Sequence, residues 1–233
     1  MSSTMPPWLR PTAFLDYETP SLQEYVASVT AGTGSDPHER ARALYYAVRD
    51  GIFYEVYGAD MSPAGLRASA VIEAGQGFCV QKSVLYAAVT RAVGIPSRIV
   101  VTQVRNHLAS ERMRRMVGGD VFIHLFNAIY LGGRWIKTTP VFNKALCTLY
   151  GMDTLEFEPD RDSYHHPFNR AGQTMEVLRE YGEFDDLPYD WLLALLRQKH
   201  PGMFAGDETP GSGSLLDEAP AVSGRTRTSE KRQ

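Results

Sequence analysis

Cysteine is scarce in this chain. Two residues, Cys79 and Cys147, stand among 233, too few for a disulfide framework and suited to a reducing compartment. Charge of one sign is also lacking: the formal net charge of −3 leaves no electrostatic footprint for nucleic acid. No run is long and apolar enough for a membrane span, and Met1 to Arg10 has no apolar core of signal-peptide length. These absences predict a cytoplasmic protein without membrane or nucleic-acid partners. The hydrophobic fraction of 43% and charged fraction of 22% fit an ordinary globular core.

Large apolar residues thin out at the end. From Gly206 to Gln233 the sequence turns to Gly, Ser, Pro, Thr and charge, with Leu215-Leu216 the one large apolar pair. Such a segment is expected to be a disordered tail. Residues 1–18 read as an N-terminal extension and 19–205 as the folded domain.

Within that domain the periodicity changes once. Thr19-Pro20 opens a helix to about Thr30, and Asp36-Pro37-His38-Glu39 has the form of a capping box for a helix to Arg49. Ile52 to Tyr57 reads as extended. Ala70 to Glu73 is a brief helix leading into Gly75-Gln76-Gly77-Phe78-Cys79, after which a helix runs to Val93 and stops at Gly94-Ile95-Pro96. Arg98 to Val104, Val121 to Leu131 and Arg134 to Thr138 read as strands, the last two joined by a hairpin at Gly132-Gly133. Arg105 to Gly119 is an Arg-rich, partly helical connection with the character of a flap. Met175 to Tyr181 and Trp191 to Gln198 read as helices. Helices first and an antiparallel sheet afterwards make an α+β domain.

Cys79 is the first candidate for chemistry. A thiol at a helix start lies among backbone N–H groups that favour the thiolate and can hold an oxyanion; the plain alternative is a small buried hydrophobe. A nucleophilic cysteine needs a base. His124 lies on the Val121–Leu131 strand, where alternation puts it on one face with Phe126, Ala128 and Tyr130. Its alternative is a core histidine satisfied by a carbonyl. His38 and His200 sit in contexts that read as exposed, and His107 could line a site mouth. His165-His166, near Asp160 and Asp162, suggests a metal pair, but strand neighbours point to opposite faces and no further cluster completes a ligand set.

Gly77-Phe78-Cys79, the helix end Arg91-Ala92-Val93-Gly94-Ile95-Pro96, His124 on a strand and Gly133-Arg134-Trp135 on the next together resemble the transglutaminase-like superfamily. The resemblance runs from about Ala41 to Phe142. It implies a papain-like core with Cys79 as nucleophile, His124 as general base and no cofactor. One position departs from it: Thr139, before Pro140, stands where the family carries its orienting aspartate. Asp120 is the substitute favoured here, although residues four apart on a regular strand stand roughly 13 Å apart, so a bend would be needed. Asn127 and Asn143 are further candidate orienters, and Gln76 a candidate oxyanion donor.

Cys–His chemistry is acyl transfer, and the final acceptor is open: water, an amine or a carbanion. The later segments Leu155-Glu156-Phe157, Asp162-Ser163 and His166-Pro167-Phe168 resemble a bacterial subgroup whose neighbours include Dieckmann cyclases of tetramate and pyridone biosynthesis. That similarity implies a β-ketoacyl aminoacyl thioester delivered by an acyl or peptidyl carrier protein. Phe126, Tyr130 and Tyr45-Tyr46 would then suit a tunnel for the chain, and Arg112, Arg114 and Arg115 the acidic surface of the carrier. The alternatives are a cysteine peptidase or amidase, an amide-forming transferase, and a non-catalytic binding scaffold.

Overall fold

The computed structural model describes residues 5–106, 110–166, 175–204 and 214–218. Helices α1 (Pro20–Thr30), α2 (Pro37–Gly51) and α3 (Ala68–Ala74) come first, with the short strands β1 (Phe53–Tyr54) and β2 (Gln76–Gly77) paired in parallel between them. Helix α4 (Cys79–Ala92) follows, then β3 (Ser97–Arg105), α5 (Glu111–Val117), β4 (Val121–Leu131), β5 (Arg134–Thr138), α6 (Lys144–Tyr150), β6 (Glu176–Phe184) and α7 (Tyr189–Lys199). The main sheet is antiparallel in the order β5-β4-β3-β6. The result is the expected α+β arrangement of helices packed on an antiparallel sheet.

Helix α4 is the centre of the molecule. Every residue from Cys79 to Arg91 is buried, because α2 and α3 cover one side and β3 and β4 the other. Such a helix needs no polar stripe, so its polar side chains must find partners inside. Lys82 donates from Nζ to the carbonyls of Arg49 (2.9 Å) and Ile52 (2.6 Å), and Arg91 reaches the carbonyls of Arg10, Ser97 and Asp185.

Two glycines deliver the chain to the start of α4. Gly75, at φ 63°, ends α3 in the left-handed conformation and gives its N–H to the carbonyls of Val71 and Ile72. Gly77 lies where a Cβ would come within 2.6 Å of the Gln81 Cβ. The glycine turn is therefore explained by helix termination and close packing.

The segment 175–181, expected as a helix, is part of strand β6. Its Glu, Leu and Arg favour helix, but pairing along β3 satisfies a row of backbone groups that would otherwise form an open edge. Two register shifts against β3, at Val101/Thr102 and Gln103/Val104, mark how irregular that pairing is. Helix α6 was not foreseen. The extension 1–18 is joined to the core where it is described: Leu15 is buried, and the Asp16 carboxylate accepts from the Ser69 N–H and hydroxyl. In the tail, Ser214 to Glu218 form a docked helical turn.

Substituting Gly77 by Ala should lower unfolding free energy by about 1–3 kcal/mol, the range for overpacking a tight site. Chemical denaturation checks this, and a variant as stable as the parent would show that the Gln81 backbone gives way freely.

Candidate active site

Cys79 and His124 line the same cavity, of about 880 Å³ including its open mouth. Cys79 is the first residue of α4, with Phe78 extended at the cap position, and His124 lies four residues into β4. The cavity wall comes from β1, the start of α4, β3, α5, β4, α6, α7 and the 214–218 turn, and it is mostly apolar. Four of the chain's 8 methionines (Met113, Met152, Met175 and Met203) contribute, giving an adaptable, polarisable surface. Asn106, Ser110 and His200 are its other polar members besides the tyrosines Tyr54 and Tyr150, and among the described residues no carboxylate, lysine or arginine lines it.

That lining sets the protonation states. Burial pushes the Cys79 thiol up to about 12, although the backbone N–H groups of Leu125, Val80 and Cys79 pull the other way by hydrogen-bonding the sulfur. Burial likewise lowers His124 to about 3, and the neighbouring His166 adds to the shift. Burial thus works against the thiolate that the helix start was expected to favour, and both shifts favour a thiol beside a neutral imidazole.

The His124 ring lies nearly parallel to Phe142, at 6.4 Å between centroids. Phe142 also meets His166 edge-on at 4.7 Å and Tyr54 at 4.7 Å. Burial first, then the proximity of an ionisable sulfur at Cys79, raises the Tyr54 phenol well above its usual range.

The proposed orienting groups lie elsewhere. Asp120 is half-exposed, pairs with Arg105 at 3.7 Å and is not among the residues lining the cavity, so no bend in β4 brings it in. Asn127 faces α4 and donates to the Ser83 carbonyl at 2.9 Å. Asn143 accepts from the Tyr54 N–H and donates to the carbonyls of Arg49 and Ile52, a purely architectural role. Gln76 is exposed on β2. Thr139 is buried, and its hydroxyl has no hydrogen-bond partner among the described residues.

The aromatic residues expected to form a tunnel do not line this cavity. Phe126 packs with Val100 and Ala128 in a separate cluster, and Tyr130 lies outside against Trp135. Tyr45 is fixed by the carbonyls of Thr139 and Leu155, and Tyr46 by Glu156. His200, read as exposed, is buried in the cavity wall. Its Nε2 accepts from the Ile123 N–H at 2.9 Å and its Nδ1 lies 2.8 Å from the Val117 carbonyl, which fixes the neutral Nδ1–H tautomer. His107 lies outside the described residues.

A second thiol–imidazole contact exists, with Cys147 Sγ 3.7 Å from His166 Nε2. Cys147 is in the middle of α6, where its own N–H is spent on the Asn143 carbonyl, and it does not line the cavity. His165 turns away toward the Met175 carbonyl. Among the described residues no group of three or more His, Cys, Asp or Glu side chains is placed to hold a metal ion.

Residues 23–140, just over half of the chain, match the transglutaminase-like superfamily. The chain belongs to that superfamily. Among solved structures it is similar to a candidate cysteine protease from Cytophaga hutchinsonii, at 19% identity and a TM-score of 0.44, covering 57% of this chain and 40% of that one. A candidate protease from Parabacteroides distasonis is similar at 15% identity and a TM-score of 0.36, covering 56% and 25%. The chain thus spans well under half the length of these two structures, and neither likeness is close enough to bear on activity. No curated protein matches the chain. No helix among the described residues is long and apolar enough to cross a membrane.

The transglutaminase-like domain should lose stability in acid through its buried histidines. His124 and His200 both have lowered folded-state pKa values, chiefly from burial, so the unfolded chain binds protons first. Their contribution is complete above the ordinary value of 6.5 and is lost as pH falls from there toward about 3. For His124 the loss should reach a few kcal/mol, on the order of 1.4 kcal/mol per pH unit. Thermal unfolding across this range checks it, and a His124→Asn variant should show a flatter pH dependence than the parent.

Proposed function

We propose that this protein is a cysteine-dependent acyltransferase in which Cys79 is the nucleophile and His124 the general base. The observation that carries the reading is their shared cavity, with Cys79 as the first residue of α4. Because the resting pair is neutral, proton transfer from sulfur to His124 accompanies attack. The new S–C bond and the oxyanion form together, and N–H groups at the start of α4 are available to that oxyanion. Collapse expels the thiol or amine of the donor, which takes the proton from His124 and leaves the acyl group on Cys79. An acceptor then releases it.

Water as acceptor makes the protein a cysteine peptidase, amidase or thioesterase, the simplest reading for this superfamily. A finer reading is favoured by one observation, that among the described residues no charged side chain lines the cavity. An uncharged carbon chain suits such a wall better than a charged peptide does. On that reading a carrier protein delivers a β-ketoacyl aminoacyl thioester. After acyl transfer, His124 takes a proton from the carbon between the two carbonyls. The resulting carbanion attacks the Cys79 thioester, and the C–S bond breaks. The sulfur regains the proton from His124 as the tetramate-type ring is released. A second nucleophile, Cys147 with His166, is the competing site within the same fold.

Intact-protein mass spectrometry with an acyl-N-acetylcysteamine thioester separates these readings. The parent and Cys147→Ser should gain one acyl group and Cys79→Ser none. His124→Asn should acylate roughly 10²–10⁴-fold more slowly. Acylation that survives in Cys79→Ser and vanishes in Cys147→Ser would transfer the role to the second pair. Product analysis then decides the acceptor: free acid for hydrolysis, a cyclic tetramate for ring closure.

A further inference from the structure

The turn formed by Ser214 to Glu218 contributes Leu215 to the wall of the Cys79 cavity. Its attachment is local and polar. The Glu55 carboxylate, buried just beyond β1, accepts at Oε2 from the Ser214 hydroxyl (2.7 Å) and the Leu215 N–H (3.0 Å). Its Oε1 is held by the N–H groups of Val56 and Tyr57, so both oxygens have partners and the anchor is rigid. Tyr150, itself a lining residue, donates to the Leu215 carbonyl at 2.7 Å. At the other end Glu218 lies 3.8 Å from Arg112, whose guanidinium covers the Tyr57 ring at 4.3 Å.

These contacts join the turn to α5, which sends Met113 and Val117 into the same cavity. Arg112, read from the sequence as a contact for an acidic carrier protein, is instead engaged by the chain's own Glu218. Leu215 is 6% exposed while the adjacent Leu216 is 46% exposed, so one leucine of the pair is inserted and the other faces solvent. An inserted side chain on a short strap takes room from whatever occupies the cavity. The bonds that hold it run through the Leu215 backbone and the Ser214 and Glu218 side chains, so the Leu215 side chain can change while they remain.

We infer that the 214–218 strap is a size selector for the acyl group, with Leu215 filling space that a longer chain would need. The inference rests on the reading of Cys79 as the acylated residue. The strap uses Glu55 as a fixed latch and α5 as its neighbour, and the chemistry it selects among is uncharged acyl chains of different length. A smaller residue at position 215 admits longer chains; a larger one excludes them.

The test is the rate of Cys79 acylation by butanoyl, octanoyl and dodecanoyl N-acetylcysteamine thioesters, read by intact-protein mass spectrometry on the full chain. Leu215→Ala should raise the ratio of dodecanoyl to butanoyl rates roughly tenfold, and Leu215→Trp should lower it by a similar factor. Leu215→Val, which removes a single methylene, should shift the ratio in the direction of Ala and guards against loss of folding in the larger changes. Ser214→Ala, which removes one latch hydrogen bond, should also raise it. If the parent is acylated at Cys79 and the ratio stays constant across the folded variants, the strap does not select and the inference falls while the nucleophile stands. If the parent is not acylated at Cys79 by any of the three, the nucleophile reading falls and the selector with it.

Discussion

Two backbone carbonyls, those of Arg49 and Ile52, hold the site in place. Each accepts from both Lys82 Nζ and Asn143 Nδ2. Lys82 lies one turn into α4 from Cys79, and Asn143 follows directly on Phe142. The same Asn143 accepts from the Tyr54 N–H, so one cluster ties together the end of α2, strand β1, the Cys79 helix and the start of α6. Burial pulls the Lys82 amine well below its usual pKa range. In such a place the hydrogen bonds are what make the buried nitrogen tolerable. Loosening the cluster would shift Cys79, Tyr54 and Phe142 relative to one another, and these three, with His124, define the reacting end of the cavity.

The electrostatics follow from how completely that cluster closes the interior. A helix start is worth a fraction of a kcal/mol to about 2 kcal/mol for an adjacent anion, whereas stripping water from a charged group costs several. At Cys79 the second effect wins, and the thiol stays protonated in spite of three N–H neighbours. Helix-terminus arguments taken from sequence alone omit this comparison, because the depth of burial depends on elements far away in the chain.

What was legible in the sequence was what depends on neighbours along the chain. Strand β4 runs from Val121 to Leu131 as its alternation and the Gly132-Gly133 hairpin predict, and α4 starts at the cysteine after the glycine turn. What was not legible depends on partners. An edge strand such as β6 is defined by the strand it pairs with, and its helix-forming composition points the wrong way. His200 owes its burial to Ile123 and Val117, 77 and 83 residues distant. The cavity wall is assembled from segments spread between Tyr54 and Leu215, so the aromatic residues nearest His124 in sequence were poor guides to it. The small apolar pair Leu215-Leu216 was visible, but its docking required Glu55, a buried acid with no signature of its own.

The absent carboxylate and the neutral pair belong together. In a triad the carboxylate orients the imidazole and stabilises the imidazolium. Thr139 at the corresponding place offers a hydroxyl without charge, and that hydroxyl is buried without a partner among the described residues. Thr139 is buried outside the cavity lining, and an ionised aspartate there would carry the cost of burying an anion. Threonine avoids that cost and leaves His124 without a stabiliser for its positive charge, consistent with its pKa of about 3. Both shifts work against a stored thiolate–imidazolium pair. On the proposed reading of Cys79 and His124, the charge is generated in step with attack, and the oxyanion forming at the start of α4 would supply the missing negative partner. An acyl donor that brings its carbonyl to the sulfur would then complete the electrostatics that the protein leaves open, which would make access to the cavity the point at which reactivity is controlled.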